Sequence, residues 1–315
     1  MCPLNDAILK SSNTSDICVD CSGSSGGGDE HKTCTEEEND CKKDGISHRD
    51  KEDIKISSDN VDDIAKSIDS ITISDEDLFA DPPPKEECPL CMLPMPCTNG
   101  VCGILKAYMA CCGKMICEGC SIAEDDEVAK GNLKDLCSFC RVPMATSDDE
   151  FVKRLMQMAN ANDHNAFYAL GGIYRRGGEL SQDTTKAFEM MNKAAELGLS
   201  MAHYNISISY LTGDGVERDL DKASRHLELA AIGGDEVARH KLGIEEVHLG
   251  NMDRAMKHFM IAARSGFDDA LKEVGEGYKA KVVTKDEYAS TLRAHKASQD
   301  EMKSEQRSRA AANRL

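Results

Sequence analysis

Apolar residues recur every three or four positions between residues 147 and 280, which is the spacing of one face of an α-helix. The first such segment opens with Ser147 and Glu150, a pair typical of a capping box, and continues through Phe151 and Leu155. Similar segments follow, separated by short polar or glycine-containing turns. The pattern predicts a mainly α-helical chain built of helical hairpins.

Small and apolar residues within this region repeat at an interval of 36 residues. In the first copy they are Ala166, Leu170, Gly171, Tyr174, Ala187, Ala194, Ala195 and Gly198, and in the second Ala202, Ile206, Ser207, Tyr210, Ala223, Ala230, Ala231 and Gly234. A third copy is shorter in its loop, and a fourth begins at Ala270 and lacks its second helix. Because one hairpin cannot bury both of its faces, the copies are expected to stack into a solenoid over residues 147–282, with a capping helix at its start.

Polar residues mark where several of these helices begin. Asp183 and Asp219 stand where they would cap the second helix of the first two hairpins. Thr284 and Glu287 form a second capping box, which opens a polar helix and tail over residues 283–315. This last segment is mildly basic and is interpreted as a solvated helical end with a frayed tip.

The N-terminal part of the chain has the composition of a disordered segment. Residues 1–87 carry 23 acidic against 9 basic side chains and account for most of the net charge of −18. Residues 1–85 are therefore predicted to be a disordered acidic tail and linker. An alternative for residues 61–79 is a short helix or docking motif, because isoleucines and Leu78 stand there among acids.

Composition also excludes several classes of function. The acidic balance disfavours nucleic-acid binding, which needs basic side chains to displace counterions. The chain begins without a secretory signal and has no span of about 18 apolar residues, so we expect no membrane insertion and a place in the cytosol or nucleus. No phosphate-binding loop or nucleophile motif is present, and no catalytic residue is predicted.

All fifteen cysteines lie at or before Cys140. In a reducing compartment, dense thiols favour a metal site over disulfides. Three Cys-x-x-Cys pairs and one adjacent pair supply eight thiols, enough for two tetrahedral zinc ions within residues 86–145; they are Cys88 with Cys91, Cys111 with Cys112, Cys117 with Cys120, and Cys137 with Cys140. In the alternative, the second ion is absent and its thiols are merely buried. Cys18, Cys21, His31 and Cys34 form a weaker candidate, without apolar neighbours.

This segment resembles a RING finger, the zinc module of many ubiquitin ligases. The resemblance rests on three stretches, which are Cys88 to Cys91, Cys112 to Cys120 and Cys137 to Arg141. The RING cross-brace implies that Cys88, Cys91, Cys117 and Cys120 hold one zinc ion and that Cys111, Cys112, Cys137 and Cys140 hold the second.

One position departs from the common RING pattern. Lys114 stands where most members have a histidine ligand, and an ammonium group cannot bind zinc. The sequence is therefore closer to RING variants with eight cysteine ligands. Cys97 or Cys102 could replace Cys111 or Cys112 in the second site, because adjacent ligands are strained.

Two further residues bear on whether the module transfers ubiquitin. The resemblance implies that Leu90 is an apolar contact for a ubiquitin-conjugating enzyme and that Arg141 is the cation that bridges enzyme and ubiquitin. Ser138, however, replaces the common proline, and the chain contains no tryptophan to complete the usual groove. A RING-type ligase and a non-enzymatic scaffold with a structural zinc module both fit this pattern.

The repeats resemble the SEL-one-like (Sel1-like) family, relatives of tetratricopeptide repeats that serve as adaptors. The carrying residues are the recurring Ala, Leu, Gly and Tyr positions, the Gly213 to Val216 turn and Asp219. This resemblance implies that the repeats bind another protein. The leading hypothesis is a RING-type ubiquitin ligase or ligase-like adaptor, in which the repeats hold a target and the zinc module recruits a conjugating enzyme.

Overall fold

The structure is a computed structural model, and it describes residues 72–96, 108–132 and 134–312. Within these ranges the helices are α1 Asp75–Leu78, α2 Glu118–Ala129, α3 Asp148–Asn160, α4 His164–Arg176, α5 Thr184–Glu196, α6 Ser200–Thr212, α7 Leu220–Ile232, α8 Glu236–Leu249, α9 Met252–Arg264, α10 Asp268–Lys279, α11 Lys285–Glu301 and α12 Glu305–Ala312. Two short strands, β1 Tyr108–Met109 and β2 Lys114–Met115, pair antiparallel. The predicted mainly α-helical fold is confirmed. The disorder predicted for residues 1–71, the His31 cluster, Cys97 and Cys102 lie outside the described residues.

Helices α4 to α9 form three consecutive hairpins, and α10 begins a fourth repeat. The predicted caps are confirmed, since the side chains of Asp183 and Asp219 accept hydrogen bonds from the amides of Lys186 and Lys222. The first helices of the first and third hairpins are capped in the same way, by Asp163 and Asp235. Each aspartate side chain satisfies a backbone amide that the helix itself leaves unpaired, so these helices have a defined start.

The repeated small residues let the paired helices approach closely. Ala166, Ala194, Ala202 and Ala230 are fully buried at the helix contacts. A methyl group on Gly243 would lie 2.5 Å from the ring of Phe259. The short distance between the paired helices therefore explains why small residues recur at these repeat positions.

Helix α3 caps the first repeat and begins as predicted, but its capping box is only half formed. The Ser147 hydroxyl accepts from the amide of Glu150. The Glu150 carboxylate accepts from the amide of Thr146, at 3.1 Å, instead of returning to Ser147. Val152 and Leu155 on the inner face of α3 are buried against the first hairpin.

The linker interpretation is wrong for the described residues before the first cysteine pair. Residues 72–86 lie against the second and third hairpins, with α1 capped by Ser74 and Leu78 only 4% exposed. The alternative of a short helix or docking motif describes this part of the chain. Composition alone pointed to a linker because the apolar residues here are few and stand among acids.

The C-terminal segment also differs from its prediction. Thr284 and Glu287 form the predicted capping box of α11. The chain then turns at Met302, and α12 packs on α2 of the cysteine-rich module instead of ending in solvent. This contact is close because residue 119 is glycine, where a methyl group would lie 2.7 Å from the backbone nitrogen of Arg307.

Candidate metal centres

Two loops of similar geometry present the first and last cysteine pairs. The first is closed by a bridge between Glu87 and Pro94, and the second by a bridge between Leu136 and Pro143. Within each loop, the amide of the leading cysteine donates to a carbonyl five residues later, at 2.9 Å in both cases. These turns aim both sulfurs of each pair to the same side, which is the usual role of a Cys-x-x-Cys turn at a metal.

The other two pairs come from the small hairpin and the helix after it. Cys111 and Cys112 lie in the turn between β1 and β2, where the amide of Cys112 donates to the carbonyl of Met109 at 3.0 Å. Cys117 precedes α2 as its N-cap residue, and Cys120 lies in its first turn. The hairpin and the helix thereby supply the remaining four sulfurs.

The structure gathers the eight thiols into two groups of four. One group is Cys88, Cys91, Cys117 and Cys120, and the other is Cys111, Cys112, Cys137 and Cys140, with all ligand atoms of a group within 4.8 Å of one another. These are the two sets that the cross-brace pattern implied. All eight cysteines are free thiols rather than disulfides.

The sulfur spacing suits a tetrahedral ion. Four sulfurs held tetrahedrally about 2.3 Å from a zinc ion lie about 3.8 Å from one another. The Sγ atoms of Cys88 and Cys120 are 3.9 Å apart, and those of Cys91 and Cys117 are 3.8 Å apart. In the second group, Cys112 and Cys137 are separated by 3.7 Å. Both groups therefore fit a tetrahedral thiolate-bound metal.

One thiol in each group is poised to ionise. Burial disfavours the thiolate of Cys88, but hydrogen bonds from backbone amides, that of Cys117 foremost, lower the pKa of Cys88 to about 7. Burial likewise opposes ionisation of Cys137, whose pKa is nevertheless lowered to about 7 by the amides of Cys140 and Phe139. Burial raises the pKa of Cys111, Cys112, Cys117 and Cys120. Four such sulfurs can be anionic together only beside a cation, because thiolates repel one another at this distance.

The position of Lys114 explains why it is not a ligand. It lies on β2 with an exposed side chain, paired with Met109 across the hairpin, and belongs to neither group of thiols. The adjacent Cys111 and Cys112 both face the second group instead. Cys97 and Cys102, the alternatives to them, are outside the described residues.

Arg307 on α12 joins the first group from the far end of the chain. Its Nε and Nη2 atoms each lie 3.4 Å from a sulfur, that of Cys117 and that of Cys91 respectively. The same guanidinium donates to the carbonyls of Pro94 at 2.7 Å and Leu93 at 3.3 Å. Sequence reasoning missed this residue, because Arg307 is 190 positions from Cys117 and no local motif marks it.

Leu90 and Arg141 lie at different places in the two loops. Leu90 lies inside the first loop and is 37% exposed. Arg141 follows the last cysteine with an exposed side chain and a positive φ of 62°, as Met92 follows the first pair with a φ of 54°. Both side chains are accessible from solvent, and their role toward a conjugating enzyme stays a prediction.

Comparison with known proteins identifies the repeats. The family model described as Sel1 repeat matches residues 165–199 and 200–235, so the chain contains Sel1 repeats. No RING family model matches the cysteine-rich module.

Two solved structures are similar to the chain. A Sel1 repeat protein from Oxalobacter formigenes is 27% identical over 57% of this chain and 77% of its own length, with a TM-score of 0.43. A protective antigen present in uropathogenic Escherichia coli strains, which displays an SLR fold, is 28% identical over 48% of this chain and 33% of its own, with a TM-score of 0.40.

In the part of the chain that the structure describes, none of the helices combines the length and the apolar character needed to cross a bilayer.

Proposed function

We propose that this protein is a protein–protein interaction scaffold in which Sel1 repeats bind a partner and a module of residues 86–145 holds two structural zinc ions. The observation that carries the proposal is the pair of four-thiol groups, with sulfur spacings of 3.7 to 3.9 Å, built onto the end of the repeats. Tyr108 and Ala110 of the module belong to the same buried cluster as Leu155 and Phe167. Module and repeats thus share one apolar core.

Zinc is the ion that the donor set favours. Soft thiolate ligands in tetrahedral groups select zinc or iron–sulfur centres over hard cations. With four cysteines each, the two groups leave no position for water or substrate, which is typical of structural rather than catalytic zinc. The ions would supply folding energy, because the module's own core is small.

That small core is visible in the packing. The buried apolar cluster inside the module consists of Met109, Ile116 and the cysteines themselves. A domain of this size without a larger core is normally stabilised by metal or disulfides. We therefore expect the module to unfold when its ions are removed.

Metal content tests this part of the proposal. The full chain, purified under reducing conditions, should contain two zinc ions, and Cys91→Ser or Cys140→Ser should each remove one. All described cysteines belong to the two groups, so no described cysteine is left for a matched control. Ser121→Ala on α2 serves as the control instead. A chain that stays equally well folded after exhaustive chelation would refute the structural role of zinc.

Partner binding by the repeats needs a separate test. The full chain should be cross-linked through lysines to proteins of its own cells, and the cross-linked peptides mapped. The scaffold proposal expects links from the repeat helices, for example from Lys186 and Lys222, to one recurrent partner at near-equal stoichiometry. Links that fall only within the chain would count against it.

A second candidate function is RING-type ubiquitin ligation, in which the module recruits a ubiquitin-conjugating enzyme to a target held by the repeats. Its support is the crossed pairing of the cysteines together with the exposure of Leu90 and Arg141 beside the two loops. Binding both proteins would raise the effective concentration of the target at the enzyme. The protein would act in a reducing compartment, the cytosol or nucleus.

Autoubiquitination with a broad panel of conjugating enzymes tests this second candidate. Leu90→Ala and Arg141→Ala should abolish chain formation and keep the zinc content. Leu220→Ala and Arg293→Ala, exposed residues of the helical region, are the matched controls. Absence of chains from the zinc-loaded wild type with every enzyme would leave the scaffold without ligase activity.

A further inference from the structure

Residues 73–79 lie on the repeats in the way a bound peptide lies in a groove. Ile73, Leu78 and Phe79 contact a cluster formed by α7 and α8, in which Leu78 is buried against Leu227 and Leu242. Their helix, α1, has four residues, far fewer than a helix needs to be stable alone. The conformation of this segment therefore depends on the surface beneath it.

A buried arginine donates a hydrogen bond to the backbone of this segment. Arg239 on α8 is only 2% exposed, and its guanidinium donates to the carbonyl of Leu78 and, at 2.8 Å, to that of Ala231. The Leu78 carbonyl ends the short helix, where a cation is favourable. A buried guanidinium that loses an acceptor is costly, so the groove favours an occupant that places a carbonyl at this point, as the end of α1 does.

Basic side chains at the edge of this surface contact the side chains of the segment. Arg254 on α9 binds the carboxylate of Asp75 at 2.6 Å. The ring of Phe79 lies 5.1 Å from the guanidinium of Arg254 and 5.2 Å from the ammonium of Lys257, and it packs on His258. Cations over an aromatic face and beside an acid select a peptide that carries both.

We propose that α7, α8 and α9 form a peptide-binding groove, that residues 73–79 occupy it in cis, and that its ligand in trans is an acidic peptide with adjacent leucine and phenylalanine after a short helical turn. The inference rests on the proposed scaffold function and names the surface and the chemistry of the partner. It corresponds to the helix-in-groove mode of recognition, with one buried anchor and a charged rim.

The cis segment sets the strength of binding in trans. A tethered segment competes at an effective concentration on the order of 1 mM. If the free peptide binds with a dissociation constant of roughly 10 to 100 μM, the cis segment weakens apparent binding by about 10- to 100-fold. Weakening the cis contacts should therefore uncover affinity for the same sequence added in trans.

The probe is a fluorescein-labelled peptide with the sequence of residues 72–81, titrated into the full chain and followed by anisotropy. The double variant Leu78→Ala with Phe79→Ala should bind it at least tenfold more tightly than the wild type. Adding Arg254→Glu to that variant should weaken binding at least fivefold. A scrambled peptide of the same composition and the variant Leu249→Ala, an exposed leucine at the end of α8, are the controls.

Equal binding by the wild type and the folded double variant, or no binding by either, would overturn the inference. If the double variant fails to fold by circular dichroism, Phe79→Ala alone carries the same prediction with a smaller gain, because Leu78 keeps its buried place. Absence of peptide binding together with partner cross-links on the repeats would refute this groove and leave the scaffold proposal intact. Peptide binding without such cross-links would support the groove and count against the scaffold.

Discussion

The guanidinium of Arg307 donates to the sulfur of Cys117 across 3.4 Å and so fastens the last helix of the chain to the first group of thiols. A four-thiolate zinc site carries two net negative charges, and a neighbouring cation that also donates hydrogen bonds stabilises it. Within the described residues, Arg307 contacts no sulfur of the second group. The two sites should therefore differ in how firmly they hold metal.

Replacing this cation should weaken one site selectively. Arg307→Met keeps much of the side-chain length and removes the charge, and we expect the first site to lose metal affinity by about 10- to 100-fold. Chelator-driven zinc release, followed with a metal-sensitive dye, should become biphasic with one fast equivalent. Arg309→Met, on the same helix but paired with Glu305 at the surface, is the control. Identical release from both variants would contradict the role of Arg307.

Metal removal should also release α12. The helix is anchored on α2 and on the first group of thiols. When the metal ion is lost, the thiolates take up protons, so the negative charge that holds Arg307 disappears and the module beneath α12 loses its fold. Hydrogen exchange of residues 305–312 and 118–129 should accelerate strongly after chelation. Exchange in α7 and α8 should change little, since those helices pack within the repeats. Uniform loss of protection would mean that module and repeats unfold as one unit.

Two neighbouring histidines, the buried His226 and the partly buried His203, should make the repeats acid-sensitive. Burial lowers the pKa of His203 to about 4 and that of His226 to about 3, and their Nδ1 atoms are 3.0 Å apart. In the unfolded chain both take up protons near pH 6.5, whereas the folded chain resists protonation down to about pH 4. Each histidine therefore lowers stability as the pH falls through this window, by up to about 1.4 kcal/mol per pH unit.

The comparison of variants isolates this effect. Asp235 acts in the opposite direction, because burial raises its pKa to about 7 and the folded state then binds the extra proton. His226→Phe should flatten the fall in urea stability between pH 6.5 and pH 4, whatever its stability at neutral pH. His248→Phe, exposed on α8, should leave the slope unchanged. Parallel slopes for wild type and His226→Phe would disprove the assignment.

Equivalent glycines in different repeats should respond differently to alanine. A methyl group on Gly243 would meet the rigid ring of Phe259 at 2.5 Å, and overpacking of this kind costs about 1–3 kcal/mol. A methyl group on Gly171 would meet the flexible end of Met191 at 2.9 Å, which can move aside, and the backbone carbonyl oxygen of Ala187 at 3.2 Å, which must shift by a few tenths of an ångström. Alanine gains up to about 1 kcal/mol in helix propensity, which offsets the cost of that small shift. Denaturant unfolding should show Gly243→Ala destabilised and Gly171→Ala near the wild type, and the reverse order would contradict this packing.

Local patterns in the sequence were sufficient for the repeats and for the choice of cysteines. The 36-residue period, the caps at Asp183 and Asp219 and the box at Thr284 all depend on contacts within one or two turns, which residue type and spacing express directly. The Cys-x-x-Cys pairs are equally local. Only their crossed grouping needed the family resemblance, because spacing alone leaves several pairings open.

The tertiary structure decided the contacts between distant segments. Leu78 fits beside Arg239, 161 residues away, and Arg307 reaches Cys117 and Cys91 over a still longer separation. Such contacts leave no periodic trace in the sequence, since one apolar residue among acids or one arginine in a polar tail looks like a solvated segment until the surface opposite is known. The sequence determined which elements form and where they begin; packing between distant described segments determined that residues 73–79 and α12 belong to the folded structure.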